Sequence, residues 1–142
     1  MIRVLIDANV LISFLLSNRS ELLVSRAVMT ALGDQAHLIV PNELLEEIRT
    51  VCQQKPYLRA RISTDRLDQL LETVAAVGHL PASPLPRLLP SGRDPKDDYL
   101  LAYALMEKAD YLLTGDEDLL VIGRLQGVQI VSPATFLQKM NP

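Results

Sequence analysis

Four acidic residues stand apart from the other acids by where they fall: Asp7, Glu47, Asp98 and Asp116. Asp7 ends the apolar run Ile2 to Ile6, and Asp116 follows Tyr111 to Thr114 after a single glycine. Both belong at the carboxyl ends of buried strands, the edge where α/β folds bind ligands. A turn residue or helix cap accounts for either one alone about as well. Glu47 is separated from Glu43 and Glu46 by its place on a helix starting at Asn42. At ~100° per residue, Glu43 and Glu46 fall nearly opposite Ile48, the centre of the apolar stripe, and face water, while Glu47 sits about a quarter turn from it. Asp98 precedes Leu101, Ala102, Leu105 and Ala109 at helical spacing, so it heads the apolar face of its helix. Asp94 and Asp97 have ordinary duties at a helix start, as a cap and as a favourable charge on the dipole.

A carboxylate on a core-facing surface is costly unless it is paired or binds a metal. Several such acids sharing one hard divalent cation, Mg²⁺ or Mn²⁺, would resolve that cost. Without the cation, clustered carboxylates repel and raise one another's pKa. Zinc is not expected, because Cys52 is the single cysteine and His37 and His79 lie far apart in sequence. Cys52 falls in an apolar helical pattern and reads as a buried thiol.

The elements that must position these acids alternate along the chain. Strands are expected at Ile2–Ile6, His37–Val40, Tyr111–Thr114 and Val128–Val131. Helices are expected over Val10–Leu16, Glu21–Leu32, from Asn42 as cap, over Asp65–Val77, from Asp94 as cap, and after Ser132-Pro133. Lys55 to Thr64 reads as irregular, and the prolines from Pro81 to Pro90 as a connecting loop. Strands alternating with helices favour a parallel sheet covered on both faces. No internal repeat or linker divides the 142 residues, so one domain, 1–142, is expected.

Composition narrows the classes. A hydrophobic share of 49% argues against disorder, and aromatics at 4% leave the core to Leu, Val, Ile and Ala. A net charge of -3 excludes a binder that grips nucleic acid by bulk positive charge. Any hold on phosphate must be local, through Arg49, Lys55, Arg59, Arg61 or Arg93, or through a bound cation; a solvated surface explains each of these cations equally well. There is no signal-like start and no apolar run of ~20 residues, so a soluble, cytoplasmic protein is expected.

Five segments in order carry a family resemblance. They are Asp7-Ala8-Asn9-Val10-Leu11-Ile12, Leu44-Leu45-Glu46-Glu47-Ile48, Asp94-Pro95-Lys96-Asp97-Asp98, Asp110-Tyr111-Leu112-Leu113-Thr114-Gly115-Asp116 and Ile130-Val131-Ser132-Pro133. Together they resemble a PIN domain, and more narrowly its toxin–antitoxin, VapC-like ribonuclease branch. The resemblance implies a three-layer α/β/α sandwich with a central parallel sheet. It also implies cleavage of single-stranded RNA with Mg²⁺ or Mn²⁺, an antitoxin partner and a homodimer. The family's acids map onto Asp7, Glu47, Asp98 and Asp116, as both catalytic and metal-binding residues. Asn9 and Thr114 match small polar positions near the metal, and Asp97 and Asp118 are further candidates there. Asp7, Asp98 and Asp116 are then the direct ligands, and Glu47 holds a second ion or orients its water.

Two other readings compete. A PIN-like module that binds RNA or protein without cutting would show no metal-dependent turnover, and the presence of all four acids counts against it. A Mg²⁺ phosphatase wants Asp-x-Asp after the first strand, where Asn9 stands, and a receiver domain wants a lysine after a late strand. No P-loop is present.

Overall fold

A computed structural model of the chain describes residues 1–16, 22–81 and 98–140. The sheet has five strands in the order β2-β1-β3-β5-β4. They are β1 (Ile2–Ile6), β2 (Ala36–Leu38), β3 (Tyr111–Leu113), β4 (Arg124–Leu125) and β5 (Val128–Val131). All neighbours pair in parallel except β4 and β5, which form a hairpin. Val4, Leu5 and Ile6 are each 0–1% exposed, as a central parallel strand covered on both faces requires.

Eight helices surround the sheet among the described residues: α1 (Ala8–Leu16), α2 (Leu22–Ala31), α3 (Asn42–Gln54), α4 (Pro56–Arg61), α5 (Thr64–Val77), α6 (Tyr99–Met106), α7 (Glu117–Leu120) and α8 (Pro133–Met140). The step from β1 to its neighbour β2 runs through α1 and α2. The return across β1 to β3 runs through α6. Right-handed crossovers in opposite directions place these helices on opposite faces of the sheet. Accordingly α2 packs on β2 and α8, while α6 packs on β1 and β3. The result is the α/β/α sandwich, with Phe136 of α8 wholly buried edge-on against Tyr111.

Several boundaries differ from the sequence reading. Pro56 starts α4 inside the stretch read as irregular, because proline suits a first helical turn. Pro41, not Asn42, holds the cap position of α3; it is extended at φ -65°, ψ 145°, and has no N–H to satisfy. Strand β4 and helix α7 were too short to carry a periodic signal. The β4–β5 turn is Gln126-Gly127, both at positive φ (48° and 90°), the geometry of a two-residue hairpin turn. Residues 82–97, which include the proline-rich stretch after Pro81 and Arg93, Asp94 and Asp97, lie outside the described residues. Among the described residues no helix is long and apolar enough to cross a membrane.

Candidate active site

Strand β1 delivers Asp7 to the carboxyl edge of the sheet, and β3 delivers Thr114 and Asp116 beside it. The chain leaves β1 toward β2 on one side, and β3 lies on the other. The gap between the ends of β1 and β3 is therefore the topological switch point, where an open α/β sheet leaves a crevice. Asp7, Glu47, Asp98 and Asp116 all line one cavity there, with Tyr99, Leu100, Leu101 and Leu119.

Asp7 is the most enclosed of the four, at 9% exposure. Its Oδ2 accepts a 2.7 Å hydrogen bond from the Thr114 hydroxyl, which is itself fully buried. The backbone amide of Asp116 donates to that same hydroxyl oxygen at 3.0 Å, so Thr114 ties the ends of β1 and β3 together. Burial pushes the Asp7 carboxyl above its ordinary pKa, and the Asp116 charge adds to this. The Thr114 hydroxyl and the amides of Asn9 and Ala8 pull the other way and do not cancel it. Asp116 is exposed and caps α7, its Oδ1 accepting from the Asp118 amide at 2.9 Å.

Glu47 comes from the side of α3. Its Oε1 accepts a 2.7 Å hydrogen bond from the Tyr99 hydroxyl on α6. One turn back, Glu43 accepts an equal bond from Tyr103. Glutamates four apart on α3 thus meet tyrosines four apart on α6 in a two-rung ladder. Glu43 is therefore half-buried against Tyr103 rather than turned to water, because a tyrosine on the facing helix reaches past the edge of the apolar stripe. Glu46 is exposed, as expected. Burial, then the glutamate partner, raises the pKa of both phenols, that of Tyr103 to about 12, so both remain donors at neutral pH.

Asp98 enters the cavity differently from the sequence expectation. It is not within the helix but caps it, with φ -122° and ψ 53°. Its carbonyl accepts the Ala102 amide and starts the α6 ladder. Helix α6 is buried on nearly every side, so its apolar stripe does not single out one face. Ala109 lies beyond the helix end, after Lys108 turns left-handed at φ 53°.

The other candidates separate. Asn9 is exposed beside the cavity, its Oδ1 3.4 Å from the Gly115 amide. Asp118 is exposed and does not line the cavity. Asp97 lies outside the described residues. Sequence reasoning missed Tyr99 and Tyr103, whose four-residue spacing matching that of Glu43 and Glu47 was the available signal.

A family model of the PIN domain matches residues 3–118. The chain belongs to the PIN-domain family. PIN domains are generally nucleases that use divalent metals. No curated protein is significantly similar to this chain. In this PIN domain the donor set is all carboxylate oxygen, which suits a hard cation and not zinc. Asp7 and Glu47 each have one oxygen held by a neutral hydroxyl, and neither is ion-paired among the described residues. No three acidic, histidine or cysteine side chains there are grouped closely enough to hold an ion by themselves. Any ion bound here would have to complete its coordination with waters or substrate phosphate.

Proposed function

We propose that this PIN domain is a Mg²⁺- or Mn²⁺-dependent endoribonuclease acting on single-stranded RNA, and that it serves as the toxin of a toxin–antitoxin pair. The observation carrying this reading is the meeting of four carboxylates from four segments, Asp7, Glu47, Asp98 and Asp116, in one cavity. Asp7, Asp98 and Asp116 would hold the cation together with waters and substrate phosphate, since no three acids among the described residues are grouped closely enough to do so alone. When bound, the cation would supply charge stabilisation on the scissile phosphate and activation of water. The Thr114 hydroxyl and the Ala8 and Asn9 amides would hold the Asp7 carboxylate in place at the cavity wall. Tyr99 holds Oε1 of Glu47, leaving Oε2 to orient the attacking water and accept its proton. The buried side chains of Leu100, Leu101 and Leu119 form the apolar wall of the cavity.

The test is incubation with a mixed-sequence single-stranded RNA in Mn²⁺ or Mg²⁺, then in EDTA, with Asp98→Asn alongside. Cleavage is expected with metal, none in EDTA, and a loss of at least about 100-fold in the variant. Equal cleavage in EDTA or in the variant overturns the mechanism. RNA that binds but is never cut supports a non-catalytic module instead. For the toxin role, expression of the chain alone should arrest growth and Asp98→Asn should not. A short adjacent reading frame encoding a DNA-binding antitoxin would add support.

A further inference from the structure

A second cavity of about 440 Å³ opens directly from the acidic one and shares Asp7, Glu47 and Asp116 with it. Its walls are α1 and α3. Helix α1 contributes Asn9, Ile12 and Ser13, and α3 contributes Glu47 and Val51, with Lys55 at its C-cap and Leu58 of α4 behind. Glu47, Val51 and Lys55 are spaced by four, so one face of α3 forms the whole wall. Eight residues at ~1.5 Å per residue carry that wall about 12 Å away from Glu47. The wall therefore starts at a carboxylate and ends at an ammonium.

We infer that this groove seats the nucleotide next to the scissile bond, with its outer phosphate at Lys55. The inference rests on the nuclease reading for the position of the scissile phosphate. A volume of about 440 Å³ lies within the usual range for small-molecule sites, about 300–1,000 Å³. Ile12, Val51 and Leu58 give the apolar surface that an unstacked base needs. The Ser13 hydroxyl has no protein partner among the described residues, and the Asn9 amide nitrogen is left over from its contact with Gly115. Both can meet the ribose 2′-hydroxyl or a base edge, the groups by which single-stranded RNA is read.

The other cations of the region are otherwise engaged or elsewhere. Arg49 pairs with Asp68 at 3.1 Å. The Arg61 guanidinium lies 3.7 Å over the Tyr57 ring and donates to the Tyr57 carbonyl. Arg59 is exposed and does not line the groove. Lys55 has no carboxylate within ion-pair distance among the described residues and is the one cation lining either cavity there.

The experiment is fluorescence anisotropy of a labelled eight-nucleotide single-stranded RNA on the full chain carrying Asp98→Asn. Into that background go Lys55→Ala, Ser13→Leu and Arg59→Ala, one at a time. Lys55→Ala should weaken Kd about 5- to 10-fold and lower the salt slope by about 0.7, the loss of one phosphate contact on a single strand. Ser13→Leu, which fills the groove, should weaken Kd by a similar factor with the slope unchanged. Arg59→Ala should change Kd less than about twofold. Unchanged affinity in both Lys55→Ala and Ser13→Leu overturns the groove and leaves the nuclease reading intact. RNA held through Lys55 and Ser13 but never cut by the wild type leaves the groove and removes the nuclease. No RNA binding at all overturns both.

Discussion

Asp7 shows how a buried carboxylate is held at a cost in stability. Its folded-state pKa is raised by burial, so the native state binds this proton more tightly than the unfolded chain does. Unfolding then releases a proton, and the contribution of Asp7 to stability is greatest at low pH and declines as pH rises through the folded pKa. At pH 7 without divalent metal, Asp7→Asn is expected to raise Tm, and with Mg²⁺ or Mn²⁺ present the same variant should have lost cleavage. Adding Mg²⁺ should raise the wild-type Tm, by ligand linkage, and leave that of Asp7→Asn nearly unchanged. Thermal melts with and without Mg²⁺ check both statements, and a lower Tm in the variant at pH 7 would contradict them. Reading Asp7 as a strand-end acid needed only the sequence. Its pairing with Thr114, 107 residues away, did not follow from any local pattern.

At the scale of elements, the tyrosine–glutamate ladder fixes the spacing of α3 and α6 across the cleft. The rungs are chemically alike, but only Tyr99 lines the cavity. Tyr99→Phe and Tyr103→Phe should each cost about 1 kcal/mol in urea unfolding. RNA turnover should fall about 10-fold for Tyr99→Phe and stay within about twofold for Tyr103→Phe. Equal kinetic losses would show that the ladder acts only through stability. The turn after α5 is a second constraint of this kind. A Cβ on Gly78 would stand 2.8 Å from the Val74 carbonyl and collide with the Val40 side chain. Gly78→Ala should therefore cost about 1–3 kcal/mol by chemical denaturation, against the usual gain from replacing a glycine. Strands β1 and β5 and helix α5 were legible because their apolar patterns are long and sharply bounded. Strand β4 and helix α7, of two and four residues, have no room for a period.

For the whole molecule, the family match ends at residue 118, yet the fold does not. Strand β5 pairs with β3 and covers one side of the strand that carries Thr114. Helix α8 then closes the sheet against α2, with Phe136 wholly buried at the junction. Phe136→Ala should cost about 3–5 kcal/mol, a large fraction of an ordinary domain's stability, and it should reduce the folded fraction without altering metal affinity in what remains folded. Denaturant titration and calorimetry on the variant separate these effects.

The sequence by itself determined the alternation of strands and helices, hence the layered α/β arrangement, and the strand-end positions of Asp7 and Asp116. Those follow from local apolar runs and their terminators, which act within a few residues. It also separated Glu47 from Glu46, since helical angle is a local property. Tertiary structure decided which distant side chains meet. Strand order placed β3 beside β1, so Thr114 could bond Asp7. Packing of α6 against α3 turned Glu43 from a solvated acid into a tyrosine's partner. Such contacts span 50 to 110 residues, and periodicity carries no information over that distance.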